Sequence, residues 1–338
     1  MVKNLAKLAV DNGGLLTPLI IPGDLIDGTG LCNVSIYKEK NGNLIANIRH
    51  VHYTLYHAEF EQKFYCKYGT LSYLNPEDDI KLRTGNYLCN LNPDTLEVET
   101  YQKINTSKHD VEPKWTFIGL EDVRVLRWDE QLYICGVRRD VKDDGEGRME
   151  LCKVKWDEDE CIEETRDRIE VDPHTYLEKN WMPITDMPMH LIRWCDPLQV
   201  MKIDPVTKTS KVVVEKNYEL DIPRELRGGS QVIPFGDEGD RICVTHGCLF
   251  FHHPGKHKDA QYYHRFVIWD KDWNLKALTK PFKFMDTQIE FACGLVIEDD
   301  NFIVTFGYQD NAAFALRMPT RLLNNLEWED KNTWKNNG

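Results

Sequence analysis

Leu120-Glu-Asp-Val-Arg-Val-Leu-Arg-Trp-Asp-Glu-Gln-Leu-Tyr-Ile-Cys-Gly-Val-Arg-Arg (120–139) decides how this chain is read. Its first part is a short strand carrying the polar pair Glu121 and Asp122. A turn follows, and residues 132–139 form a strongly apolar strand that ends in charged side chains. The same layout recurs four more times: Leu31–Tyr37 with Leu44–His50, Glu178–Ile184 with Met189–Trp194, Arg227–Ile233 with Arg241–His246, and Ile289–Val296 with Phe302–Tyr308. The later units follow one another about every 50–65 residues, a spacing on the scale of propeller blades. The longer first gap, between residues 31 and 120, holds extra loops and the strand Tyr87-Leu-Cys-Asn-Leu. Turn markers separate the runs, among them Lys40–Asn43, Asn92–Asp94, Asp144–Gly147, Gly236–Gly239 and Glu298–Asn301. The expected fold is all-β: a five-bladed β-propeller in a single domain spanning 1–338. A closing helix is expected over about 319–335, with Leu322, Leu323 and Leu326 on its packing stripe.

The bulk composition narrows the function. The chain has 42 Lys and Arg against 55 Asp and Glu, a net charge of −13, which disfavours nucleic acid as a partner. Nine Trp, 14 Tyr and 13 Phe suit β structure, and their ring faces also suit sugars. No run approaches the roughly 20 apolar residues of a membrane span. The apolar run before Asp11 is too short for a secretion signal, so the expected compartment is the cytoplasm. Ten cysteines are scattered singly with no C-x-x-C spacing, and they read as reduced and structural. His252-His-Pro-Gly-Lys-His257 matches no zinc-site spacing and reads as a solvated loop, so neither metal nor cofactor is expected.

In a propeller the first strand of each blade lines the central channel. Those strands carry residues poorly suited to a plain core: Asn33 and Ser35, Glu121 and Asp122, Lys179 and Asn180, Gly229 and Ser230, and Glu290. Charged groups there are expensive unless they are paired or solvated, and a polar cleft on the axis resolves that cost.

These segments, in this order, resemble glycoside hydrolase family 130, the five-bladed propellers that include β-mannoside phosphorylases. Gly119-Leu-Glu-Asp-Val-Arg resembles the family's G-x-E-D-P-R, and Glu178-Lys-Asn-Trp its inner Lys-Asn/Asp element. Val244-Thr-His-Gly is similar to Tyr-His-Gly. Ile289–Val296 with Thr305–Asp310 is similar to the F-P-C-G-L-V and Y-Y-G-A-A-D pair. Three departures stand out. Val123 replaces a proline, Arg227-Gly-Gly-Ser replaces a Gly- and Pro-rich segment, and Tyr262–Phe266 has no counterpart. They point to a sister group with an altered substrate or donor, since related propellers include mannosyltransferases that use nucleotide sugars.

The resemblance implies that Asp122 is the acid or base of an inverting sugar transfer, in that family sometimes relayed through a sugar hydroxyl. A carboxyl can deliver the proton such a reaction needs. Alternation along the strand turns Glu121 the opposite way, so only one of the two should reach the cleft. The plain structural alternative for Asp122 is an ion pair with Arg124. The resemblance places Arg49, Lys179 and His246 at a phosphate or donor site, where three cationic or potentially cationic groups would bind a dianion. It also places Asp310 on sugar hydroxyls, with a turn aspartate as the alternative. Asn33, Ser35, Arg124 and Asn180 complete the sugar-binding candidates. Tyr263 and Arg265, on one face of their strand, are candidates for acceptor or nucleotide contact. The expected partners are a sugar phosphate or nucleotide sugar and a glycan acceptor. Glycoside hydrolysis and non-catalytic glycan binding remain the competing functions.

Overall fold

A computed structural model describes residues 2–22, 30–56, 72–74, 81–220, 226–252 and 258–329. Five sheets, antiparallel except for short parallel pairs of Glu170–Val171 in blade III and Phe117–Ile118 in blade I, surround one axis as a five-bladed β-propeller. Each blade runs outward in chain order. Blade I is Gly30–Lys38, Leu44–Val51, Leu82–Leu91 and Val98–Lys103, and blade II is Leu120–Trp128, Gln131–Arg138, Arg148–Trp156 and Cys161–Arg168. Blade III begins with the two-residue strand Met182–Pro183 and continues through His190–Cys195, Leu198–Ile203 and Thr209–Lys216. In blade IV the inner edge is split between Arg227–Gly228 and Ile233–Phe235, both on Asp240–His252; Lys258–Trp269 and Leu275–Leu278 follow. Blade V is Glu290–Glu298, Asn301–Tyr308 and Ala312–Pro319. The N-terminal strand Leu15–Pro18 completes it, pairing Leu16 with Leu316. The ring is thus closed by joining the two ends of the chain in one sheet.

The inner strands of blades I and V are buried along nearly their whole length, because a neighbouring blade covers each face. That explains why their sequences lack strict alternation. The core lies between blades. Val123, Val125 and Ile134 of blade II pack with Ile45 and Leu88 of blade I, and Ile242, Val244 and Phe266 of blade IV pack with Phe302 and Phe306 of blade V. Burying such side chains is worth about 1.5–3 kcal/mol each. Nine cysteines lie among the described residues and all carry free thiols, as their scatter predicts.

The ends of the chain differ from the sequence reading. Leu5–Asp11 is a short α-helix, capped by the Asn4 side chain on the Lys7 amide, and it buries Leu5, Ala6 and Ala9. At the other end, the helix expected over 319–335 is one 3₁₀ segment, Thr320–Asn325. Leu326 is already extended, with φ −81 and ψ 147, and Trp328 bridges to Thr279 of blade IV. One turn suffices to bury Leu322 and Leu323, and pairing with blade IV then displaces further helix. Residues 330–335 of that expected helix lie outside the described residues. No described helix is long and apolar enough to cross a membrane.

Candidate active site at the propeller axis

Three inner strands reach the axis through register shifts. In blade I, Cys32 pairs with Arg49 and Ser35 with Asn47, so Asn33 and Val34 together oppose Ile48. In blade II, Glu121 pairs with Val137 and Arg124 with Cys135, so Asp122 and Val123 oppose Gly136. In blade V, Cys293 is the additional residue between Ala292 and Gly294. Such bulges bend a strand and re-aim its side chains. Asn33 and Asp122 sit at φ 46 and 52, a left-handed backbone that non-glycine residues seldom adopt. A side chain on Gly136 would meet the Glu121 carbonyl at 2.6 Å, so the bulge in blade II needs that glycine.

The bulge overturns the expectation that Glu121 and Asp122 face opposite ways. Both carboxylates meet Arg49. Its Nη1 donates to Asp122 Oδ1 at 2.9 Å and its Nη2 to Glu121 Oε2 at 3.1 Å. Tyr53 Oη and Thr84 Oγ1 hold the same guanidinium at 3.0 and 3.2 Å. Asn33 Nδ2 donates to Asp122 Oδ1 at 2.8 Å, tying blade I to blade II across the axis. Burial pushes the Asp122 carboxyl up, but Arg49, Lys179, Arg124 and the Asn33 bond outweigh it, and the group lies below the usual carboxylate range. Glu121 is raised by burial and by the Asp122 charge, against Arg49, Arg139 and Lys179. Its Oε1 is buried and has no partner.

Arg124 does not pair with the Asp122 carboxylate. It is fully buried, and it donates through Nε and Nη2 to the Gly229 carbonyl at 2.9 and 2.7 Å and through Nη1 to the Asp122 carbonyl. It is a cross-axis strut from blade II to blade IV, with its guanidinium engaged by backbone carbonyls. Ser35 is likewise structural, accepting from the Val125 amide at 3.0 Å. Both residues were expected on sugar, and the seams between blades claim them instead.

Lys179 and Asn180 do not stand on a strand. They occupy a loop before Met182–Pro183, and Asn180 is left-handed at φ 61. Asn180 is 4% exposed and its Oδ1 has no partner. Lys179 is half-buried and forms no hydrogen bond or ion pair among the described residues. Its charge acts on Asp122, Glu121, Asp310 and His246, which places it among them.

His246, on the second strand of blade IV, is 3% exposed. Burial, then His264, Lys179 and Arg227, hold its pKa well below the usual imidazole value. It is therefore neutral, so the group expected as potentially cationic carries no charge in the free site. Its Nδ1 lies 2.9 Å from the Gly228 carbonyl, which can only accept, so Nδ1 carries the proton and Nε2 is an acceptor. Tyr262 stacks on the ring with centroids 5.6 Å apart. Arg227 pairs in register with His246 and bears on it electrostatically, bringing a further cation to this side.

Asp310 lies in the tight turn between two strands of blade V. Gln309 and Asp310 both have φ 52, and Asn311 N donates to Tyr308 O at 3.0 Å, the pattern of a type I′ hairpin. The turn holds this carboxyl in the field of Asp122, Glu121, Arg49 and Lys179. Burial and repulsion from Asp122 and Glu121, opposed by Arg49 and Lys179, push its carboxyl up to about 6. Tyr263 and Arg265 lie on the third strand of blade IV, away from the axis. Tyr263 Oη donates to Gln261 Oε1 at 2.7 Å, and Arg265 Nη1 pairs with Glu329 at 2.5 Å, so the C-terminal segment occupies Arg265. Sequence reasoning missed Tyr262, Tyr53, Thr84 and Arg227. Arg227 left a signal, a cation abutting two glycines on an expected inner strand; the others look like ordinary strand residues. No group of three or more metal-ligating side chains occurs among the described residues, and residues 253–257 of the histidine-rich loop lie outside them.

The fold and this arrangement define a five-bladed propeller with a cluster of charged and polar side chains at its axis. As a sequence the chain matches no protein-family model and no curated protein. Solved structures do match it. One is the β-1,2-mannobiose phosphorylase from Listeria innocua in complex with β-1,2-mannobiose (TM-score 0.53, 14% identity, 91% of this chain and 95% of that chain). A second is MPT-1, a GDP-Man-dependent mannosyltransferase from Leishmania mexicana (TM-score 0.52, 12% identity, 90% of this chain and 89% of that chain). A third is a glycosyl hydrolase from Bacteroides ovatus (TM-score 0.52, 12% identity, 87% of this chain and 85% of that chain). At such identities the likeness is one of fold alone, and it spans nearly the whole chain.

Proposed function

We propose that the protein is a carbohydrate-active enzyme that transfers a hexose, with mannose favoured, between a phosphate-bearing donor and a glycan acceptor, with inversion. The observation that carries this reading is Lys179. It is a cation without a hydrogen-bonded or ion-paired partner among the described residues, set beside three carboxyls on the axis. A neutral glycan has no use for such a charge, whereas a phosphate or nucleotide diphosphate does. The folds that resemble this one include a phosphorylase, a nucleotide-sugar transferase and a hydrolase, so fold by itself does not choose the donor.

The chemistry follows from protonation states. Asp122 is ionised in the free cleft, which suits the transfer direction. An acceptor hydroxyl attacks the anomeric carbon from the face opposite the donor oxygen and gives its proton to Asp122. The new C–O bond forms as the bond to the phosphate oxygen breaks, and the leaving phosphate keeps the electron pair beside Lys179. Asn33 and Arg49 fix Asp122 and keep it anionic before the sugar arrives. Asp310 and Asn180 Oδ1 offer acceptors for sugar hydroxyls, and His246 Nε2 offers one for a hydroxyl or a protonated phosphate oxygen. The test is a thermal-shift screen with mannose 1-phosphate, GDP-mannose and β-1,2-mannobiose side by side. A phosphorylated sugar should stabilise the fold most. Stabilisation by the neutral disaccharide alone supports hydrolysis or simple glycan binding instead.

A further inference from the structure

Lys179 has no hydrogen-bonded or ion-paired partner among the described residues to aim it, although fixing a lysine side chain costs rotamer entropy. Its direction must therefore come from its backbone, and that backbone belongs to no strand. The residues on either side are clamped. Glu178 N donates to the Gly147 carbonyl at 3.0 Å. The Glu178 carboxylate, in a residue 1% exposed, accepts five hydrogen bonds: Thr175 N at 2.7 Å, Thr175 Oγ1 at 2.9 Å, Trp181 Nε1 at 3.0 Å, and Arg193 Nε and Nη2 at 3.1 and 2.6 Å. Arg193 Nη2 also reaches the Pro173 carbonyl at 3.0 Å, and the guanidinium lies 5.8 Å from the centre of the Trp181 ring. One carboxylate thus grips residues 175, 181 and 193 and leaves only Lys179 and Asn180 between the clamped ends. Blade IV covers the other side, where a side chain on Gly228 would meet the Asn180 carbonyl at 1.9 Å. Arg193 also occupies both Glu178 oxygens, so the carboxylate next in sequence to Lys179 does not neutralise it.

We infer that Glu178 and Arg193 are a positioning pair, which holds Lys179 and Asn180 at the axis and keeps Lys179 free for a phosphate group. This rests on the phosphate reading of Lys179. The test is calorimetric titration with inorganic phosphate, at a temperature where every variant is folded. Lys179→Ala should weaken binding about tenfold or more. Glu178→Gln should weaken it by a similar factor, because the amide turns a donor toward Trp181 Nε1 and Arg193 Nε. In Glu178→Gln/Lys179→Ala the second change should add nothing, since Glu178 acts through Lys179. Arg193→Lys keeps the charge and loses the fork, so a loss of about two- to fivefold is expected, and this variant serves if Glu178→Gln does not fold. Val200→Ala, in the core of blade III, should lower the melting temperature and leave phosphate affinity unchanged. Equal losses from Glu178→Gln with and without Lys179, or a matching loss in Val200→Ala, overturn the positioning role. If Lys179→Ala binds phosphate as well as the native chain, the phosphate reading falls, and the inference with it.

Discussion

Blades I, II and V meet the axis in one way and blades III and IV in another. The first three arrive as full-length strands, each with an extra residue bulged into the channel: Asn33, Asp122 and Cys293. The other two arrive broken, with two-residue strands joined by loops that carry Lys179, Asn180, Gly229 and Ser230. The difference has a chemical counterpart. Glu121 and Asp122 and their partner Asn33 stand on the bulged strands, where ladder hydrogen bonds to the second strand resume before and after the bulge. The free cation stands on a loop, held by a side-chain clamp. A proton-transferring group needs a fixed position, and a bulge within a paired strand supplies it.

The largest expected effect tests the bulged side. Asp122→Asn keeps shape and removes the proton acceptor, so turnover should fall by about two to four orders of magnitude. The fold should persist, because Arg49 retains Glu121, Tyr53 and Thr84. Melting temperature and turnover measured on one preparation decide the matter. Near-native turnover in a less stable protein would return Asp122 to a structural role and make Glu121 the next carboxylate to test.

The next effect tests the broken side. Gly228→Ala puts a methyl group into the Asn180 carbonyl, and the seam between blades III and IV must open. Overpacking of this kind costs about 1–3 kcal/mol, here toward the upper end because the obstacle is backbone. Denaturant unfolding measures it. An unchanged midpoint would show that the loop yields, which would weaken the claim that Asn180 is held in place.

A smaller effect separates charge from shape. Lys179→Ala should weaken binding of mannose 1-phosphate by about ten- to thirtyfold and hardly alter binding of β-1,2-mannobiose. Equal losses for the two ligands would reject the phosphate role, since removing a cation must hurt an anion selectively.

How far the sequence could be read follows the same division. The five repeats, and with them the propeller, were legible because apolar second strands and turn residues recur in order. Asp122 and Asn33 were legible as polar residues in apolar company. Their geometry was not. Alternation separates Glu121 from Asp122, and only the register shift opposite Gly136 brings both onto Arg49. Arg124 and Ser35 were read as ligands because sequence cannot tell a polar residue facing a channel from one spanning a seam between blades. His246 was read only as potentially cationic, because sequence does not show how deeply a histidine is buried. The clamp on Glu178 was hidden for another reason: its partners, residues 175, 181 and 193, meet only after the chain has folded back on itself. The C-terminal helix failed because a leucine stripe one turn long is equally well buried by a 3₁₀ segment.

Asp310 belongs to neither group, since it stands in a hairpin turn, and its effect is the sharpest in sign. Its carboxyl sits at about 6 in the folded chain. In the unfolded chain an aspartate titrates near 3.9. Between those values the native state holds more protons than the unfolded state, so this group's contribution to stability is present at low pH and is lost as pH rises through about 6. Asparagine has no such titration, and it tolerates the left-handed backbone of this turn as well as aspartate does. Asp310→Asn should therefore gain stability relative to the native chain between about pH 4 and pH 6, by about 3 kcal/mol over that interval, and the difference should be constant above it. Denaturant unfolding of both proteins across that range gives the difference curve directly. A flat curve would place Asp310 in an ordinary solvated turn, outside the field of Asp122 and Glu121. A rise spread between about pH 4 and pH 6 would join the hairpin of blade V to the carboxylates of blade II.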